Sequence, residues 1–229
     1  MNLREAILDL LFPPKCAFCG RILEEPRGMI CPECQQKLPW LTGAAAERKV
    51  EFADGCFSPL AYRGRVPDGV RRFKFGRNRA SARPFGTLMA QCLRDHLREE
   101  ADAVTWAPLS RKRRRDRGFD QAELLARRVG EELGLPVVPI LEKRRHTQPQ
   151  SSLSEDAQRR ANARGAYRLR PGVEVEGLRL VLADDVVTSG STLSECAFQL
   201  RQAGAARVWC LTLAQAGREG GNGAQKRKN

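Results

Sequence analysis

Two adjacent carboxylates, Asp184 and Asp185, stand between an apolar run and the hydroxyl-rich turn Thr188, Ser189, Gly190, Ser191, Thr192, in the stretch LVLADDVVTSGST at 180–192. The apolar run 178–183 is short, branched and bounded by polar residues, as a buried parallel strand is. Behind the turn, Leu193, Ala197 and Leu200 fall at helical spacing and Gly204 supplies a stop. The turn is therefore predicted at a helix N-terminus, where free N–H groups and the helix dipole favour an anion. Gly190 lets the backbone approach that anion closely. Carboxylates repel a phosphate they touch, so the paired acids suit the hydroxyls of a sugar, or a Mg²⁺ ion held through water, with the phosphate farther along the turn. That layout fits a ribose 5-phosphate. The bland alternative is a strand and a capped helix with no ligand, but adjacent acids at a strand end cost stability without a role.

A second constellation lies near the start. Cys16 and Cys19 form one C-x₂-C pair, Cys31 and Cys34 another. Each pair presents two thiolates on a tight knuckle, and two knuckles complete a tetrahedral four-sulfur site. Four soft ligands point to structural Zn²⁺ rather than a catalytic metal. Disulfides and an iron–sulfur cluster are the competing readings. Residues 1–12 carry Arg4, Glu5 and Asp9 and have no long apolar core, so no secretory signal is predicted. The expected compartment is the cytoplasm, whose thiol pool disfavours disulfides. Cys92, Cys196 and Cys210 fall within apolar patterns and are expected in the core.

The chain has 229 residues, enough for one full α/β domain and a small appendage. The predicted layout is an N-terminal helix and zinc ribbon over 1–42, a linker over 43–56, an α/β domain over 57–216 and a disordered basic tail over 217–229. The small module cannot bury a core alone, so metal supplies its folding energy, and the main domain is expected to keep a separate core. Strands are predicted over 57–62, 103–107, 137–141, 178–183 and 208–213. Helices are predicted over 67–75, 81–98 and 121–133. This alternation implies a mainly parallel, Rossmann-like sheet. No apolar run approaches the roughly 20 residues that span a bilayer. Lys and Arg total 40 against 27 Asp and Glu, a formal charge of +13. An anionic partner follows, either a phosphorylated small molecule or nucleic acid.

Two basic segments gain meaning beside the acidic strand end. Residues 107–121, APLSRKRRRDRGFDQ, follow a strand and precede a helix, which puts them at the same sheet edge as the phosphate cradle. Positioned cations there would stabilise a departing pyrophosphate, although charge alone equally describes a solvated loop. Residues 143–165 are polar and Arg-rich, the composition of a long functional loop or of disorder.

The stretch 180–192 resembles the signature of the type I phosphoribosyltransferases for 5-phosphoribosyl-1-pyrophosphate (PRPP). That resemblance assigns Asp184 and Asp185 to the ribose hydroxyls, as catalytic residues, and residues 188–192 to the 5′-phosphate. The order of zinc knuckles, P-L with R-G-F-x-Q at Arg117, Gly118, Phe119 and Gln121, then T-x-x-Q-x-x-L at Thr147, Gln150 and Leu153, then R-x-x-N-x-x-G at Arg159, Asn162 and Gly165, resembles the ComF family over residues 12–215. This resemblance implies a type I phosphoribosyltransferase fold, PRPP with Mg²⁺, and substrate contacts from Arg113, Arg117, Gln121 and Gln150. It also implies a role in natural transformation, with single-stranded DNA and a competence helicase as partners. The sequence departs from the family pattern at Trp106, at Ser110 where His is frequent, and at Asp120 where Asn is usual. No residue specifies the acceptor. The rival expectation is a non-catalytic module that binds single-stranded DNA on the same fold, and the chain's low aromatic content argues against a large stacking platform.

Overall fold

The computed structural model describes residues 13–25, 28–76, 78–144 and 165–217. The expected N-terminal helix over 1–12, Gln150 with its neighbouring motif residues up to Asn162, and the tail beyond 217 lie outside the described residues. Within them a six-stranded sheet has the order β1–β2–β8–β7–β4, with β3 also paired to β8. The strands are β1 (Glu47–Arg48), β2 (Gly55–Phe57), β3 (Leu60–Ala61), β4 (Ala103–Trp106), β7 (Arg179–Val187) and β8 (Arg207–Gln215). Every pairing is parallel except β1 with β2. Strands β5 (Leu141–Lys143) and β6 (Tyr167–Leu169) form a separate antiparallel hairpin.

The sheet is the middle of three layers, as its side-chain alternation requires. Val181 and Ala183 of β7 face one cluster, with Trp209, Leu211 and Leu213 of β8. Leu180 and Leu182 face the other, with Val208 and Cys210. Helices α2 (Val66–Phe75), α3 (Ala82–His96) and α5 (Gln121–Leu133) cover the first face, and α6 (Ser191–Gln202) covers the second. Cys92, Cys196 and Cys210 are buried, as their patterns predict, and Cys56 joins them.

Several local outcomes differ from the expectations. The 43–56 stretch, expected as a linker, holds a 3-10 turn (Gly43–Ala46), β1 and the first residues of β2, with Ala46 and Val50 buried. Its alanines and short β segments are read by tertiary pairing rather than local propensity. The strand expected over 57–62 is split at Ser58 and Pro59, because Pro59 has no N–H for the ladder. Pro139 likewise interrupts the strand expected over 137–141. Val137 makes a single parallel bridge to Val104, and the chain then leaves for the β5–β6 hairpin. The basic loop contains a short helix, α4 (Arg111–Arg117), capped by Ser110 at one end and closed by left-handed Gly118 at the other.

The small N-terminal module does not have a separate core. Cys16, Phe18, Cys31, Cys34 and Leu38, around the short helix α1 (Pro32–Lys37), belong to the same buried cluster as Val70, Phe73, Phe85 and Leu125. The Phe18 ring lies 5.1 Å from that of Phe85, and Arg72 donates to the Phe18 carbonyl. Gly69 of α2 sits directly under Ala17 and Phe18, where a Cβ would come within 3.1 Å of the Ala17 carbonyl. The expectation of two independent cores fails because a knuckle of this size has too little apolar surface of its own and borrows that of α2 and α3.

Candidate functional site

Strand β4 ends at Trp106, opposite Ala183 in the middle of β7, and the Ala107 N–H donates to the Ala183 carbonyl at 3.0 Å. Because β7 runs four residues past the end of β4, to Val187, a crevice opens beside its carboxyl-terminal half, where an open α/β sheet places its ligands. A cavity of about 490 Å³ occupies it. Asp184, Asp185, Thr188 and Thr192 line one side, and Arg113 and Arg117 of α4 line the other. These two arginines are four residues apart and so share one helix face. Strand β7 continues through both acids to Val187. Gly190, at φ 80°, turns the chain into α6 without any side-chain cap. Helices α4 and α5, by contrast, are capped by Ser110 and Asp120. The N–H groups that open α6 therefore have no side-chain cap from Gly190, the condition for an anion cradle, and of residues 188–192 Thr188 and Thr192 line the cavity. The Ser189 and Ser191 hydroxyls lie 2.8 Å apart in the same turn.

Electrostatics divides the two acids. Asp185 is paired with Lys74 at 2.7 Å. Asp184 accepts from the Asp185 N–H at 2.8 Å, but burial, reinforced by the Asp185 charge, pushes its carboxyl up to about 8. Lys74, from the last turn of α2, was not among the expected site residues. Its only sequence signal is a lone lysine between Phe73 and Phe75. Lys143 and Tyr167 also line the cavity, with the lysine donating to the phenol oxygen at 2.9 Å. Burial pushes the Lys143 pKa down, with Arg113 adding to the effect, and pushes that of Tyr167 up. No sequence signal joins these two, because the β5–β6 register places them opposite each other.

Gln121 plays a different part from the expected substrate contact. It is buried, accepts from Arg117 at 2.8 Å and donates to the Lys74 carbonyl at 3.5 Å, tying both cations in place. Arg117 also lies over the Phe75 ring at 5.0 Å. Asp120 is engaged by backbone N–H groups rather than by the side chains of the basic run. It is buried, accepts from the Leu109 N–H at 2.8 Å and caps α5 through the N–H groups of Ala122 and Glu123.

Cys16, Cys19, Cys31 and Cys34 bring their sulfur atoms within 4.8 Å of one another, and none is in a disulfide. A tetrahedral Zn²⁺ with bonds near 2.3 Å separates its sulfur ligands by roughly 3.8 Å. The Cys19 and Cys31 sulfurs are 3.7 Å apart, so the site has the size for zinc. The Cys34 N–H donates to the Cys31 sulfur, and Arg65 of the linking turn donates to that of Cys34. Such donors stabilise thiolates and orient them. No helix among the described residues is long and apolar enough to cross a membrane.

Comparison with known proteins finds two domain families along the chain. Residues 7–48 match the double zinc ribbon domain and residues 115–228 the phosphoribosyl transferase domain. The chain is 31% identical to DNA utilization protein YhgH of Salmonella typhimurium, over 86% of this chain and 88% of that one. It is 33% identical to competence protein F of Haemophilus influenzae, over 89% and 85%. Among solved structures it is similar to the allosteric regulatory enzyme of purine biosynthesis, with 24% identity and a TM-score of 0.42, over 62% of this chain and 29% of that longer one. With a four-cysteine ribbon packed on a type I phosphoribosyltransferase fold, and relatives of this identity along most of its length, the chain belongs to the ComF family.

Proposed function

We propose that the chain binds PRPP with Mg²⁺ in the crevice at the ends of β4 and β7 and acts there as a phosphoribosyltransferase, in the cytoplasm and in the service of DNA uptake. The observation that carries this reading is the convergence of the two acids, the uncapped start of α6 and two arginines on one cavity. The backbone of residues 188–192 receives the 5′-phosphate. Asp185 and Asp184 bind the ribose hydroxyls, and the Asp185 carboxylate offsets the charge of an oxocarbenium-like ribose. Arg113 and Arg117 hold the departing pyrophosphate. Mg²⁺ is bound by one or two carboxylates together with substrate phosphates, a donor set that Asp184 and Asp185 provide. When bound, it neutralises charge on the leaving group.

Calorimetry of PRPP with Mg²⁺ tests this. Binding should raise the thermal midpoint by mass action. Gly190→Val should abolish binding, and Asp185→Asn should weaken it. Absence of binding at millimolar PRPP, or normal binding by Gly190→Val, refutes the site.

A second reading, in which the fold binds single-stranded DNA, is favoured by the names of the relatives and by Arg111, Lys112 and Arg113. These three side chains make no ion pair among the described residues. Affinity for an oligonucleotide should then fall with salt, with a slope of roughly −0.7 per phosphate contact. Replacing Arg113, Arg114 and Arg115 with alanine should reduce both affinity and slope, whereas Asp185→Asn should not. Affinity indifferent to salt and to the triple replacement refutes the DNA reading.

A further inference from the structure

The other face of α4 borders a second cavity of about 600 Å³. It shares Pro108, Leu109 and Lys143 with the first but contains neither acid of the 184–185 pair. Helix α4 divides five of its six cations between the two: Arg113 and Arg117 line the first, while Arg111, Lys112 and Arg114 line the second. The facing wall is the β5–β6 hairpin, which contributes Arg144, Arg168 and Arg170.

Seven cations line this cavity against two carboxylates, and both carboxylates are already engaged. Glu142 pairs with Arg168, and Asp120 is consumed by three backbone N–H groups. Arg111, Lys112 and the Arg144 side chain have no acidic partner among the described residues. Like charges lining two opposed walls of one concavity focus a positive potential into it. Arginine forks are the side chains best shaped for phosphate oxygens. The floor is different in kind, formed by Trp106, Pro108 and Leu109. A cation-lined mouth over a small apolar floor, with the volume of a small-molecule site, fits a compact ligand with both a phosphate chain and a ring. A single phosphate leaves most of this charge unopposed, whereas a chain of phosphates spans from α4 to the hairpin.

We propose that this second cavity binds a nucleoside polyphosphate, its phosphates clamped between α4 and the β5–β6 hairpin and its base against Trp106, Pro108 and Leu109. The site is distinct from the PRPP crevice, and its test does not depend on that assignment. Calorimetric titration with ATP should show binding that PRPP does not displace. Arg144→Gln, whose side chain supports no described contact, and Arg168→Ala should each weaken ATP by about tenfold, the usual effect of losing a charged hydrogen bond. Gly190→Val should leave ATP binding unchanged. Failure to bind ATP at millimolar concentration overturns the proposal. So does displacement of ATP by PRPP together with its loss in Gly190→Val, which places the nucleotide in the first cavity. If the two arginine replacements weaken a single-stranded oligonucleotide but not ATP, the cavity is a nucleic-acid surface and the nucleotide assignment falls.

Discussion

Replacing Phe18 by alanine separates one shared core from two independent ones. The side chain is fully buried, lies 5.1 Å from Phe85, and has Gly69 of α2 beneath it. Truncating a buried Phe to Ala costs about 3–5 kcal/mol, because transfer energy and cavity energy are both lost. Chains of 150–250 residues shift their midpoint by about 2–4 °C per kcal/mol, so the fall should be on the order of 10 °C. Ile22, in the same module but 58% exposed, is the control: Ile22→Ala should change stability by less than about 0.5 kcal/mol. Differential scanning calorimetry on the zinc-loaded chain reads the result. The expected wild-type trace is a single transition that moves as a whole in Phe18→Ala. Two resolved transitions, with the larger unmoved by the replacement, refute the shared core and restore the picture of a ribbon that merely adjoins the main domain.

Three further outcomes are expected. Elemental analysis of protein prepared without chelators should find about one Zn²⁺ per described four-cysteine site, and Cys16→Ser or Cys34→Ser should lose it and lower the midpoint of the whole chain; metal-free protein with four freely reactive thiols contradicts the site. Asp184 has its pKa raised to about 8 by burial and by Asp185, so the folded state holds a proton that the unfolded state releases near pH 4. Stability should therefore fall as pH rises from about 4 through 8, and Asp184→Asn should flatten that fall in urea titrations at several pH values; an unchanged profile shows that Asp184 does not carry it. Asp120→Ala should cost about 2–4 kcal/mol, the sum of a lost cap and an orphaned Leu109 N–H, and Asp120→Asn should cost less because one acceptor remains. Equal losses for the two replacements in denaturant titration refute that account.

The two motifs proposed to carry chemistry are dense in local signal, and the chain alone singles them out. Four cysteines in two knuckles can serve few purposes, and an apolar run ending in Asp184 and Asp185 before a Gly190 turn fixes strand, turn and helix by local sterics and periodicity. The strands expected over 178–183 and 208–213 and the helices expected over 67–75, 81–98 and 121–133 all form, although β7 runs on through both acids to Val187. Other features are set by contacts between residues far apart in the chain. Lys74 reaches Asp185 because the tertiary fold brings the last turn of α2 to β7, and Lys143 meets Tyr167 because a hairpin register pairs them. Asp120 stands out in the sequence only as a departure where Asn is usual, and the structure makes it the buried cap of α5. The run of arginines read as one patch, yet a helix has faces, and α4 sends Arg113 and Arg117 one way and Arg111, Lys112 and Arg114 the other. The ribbon read as a separate unit for a similar reason. Sequence shows how little apolar surface it owns, and only packing decides whose surface it uses.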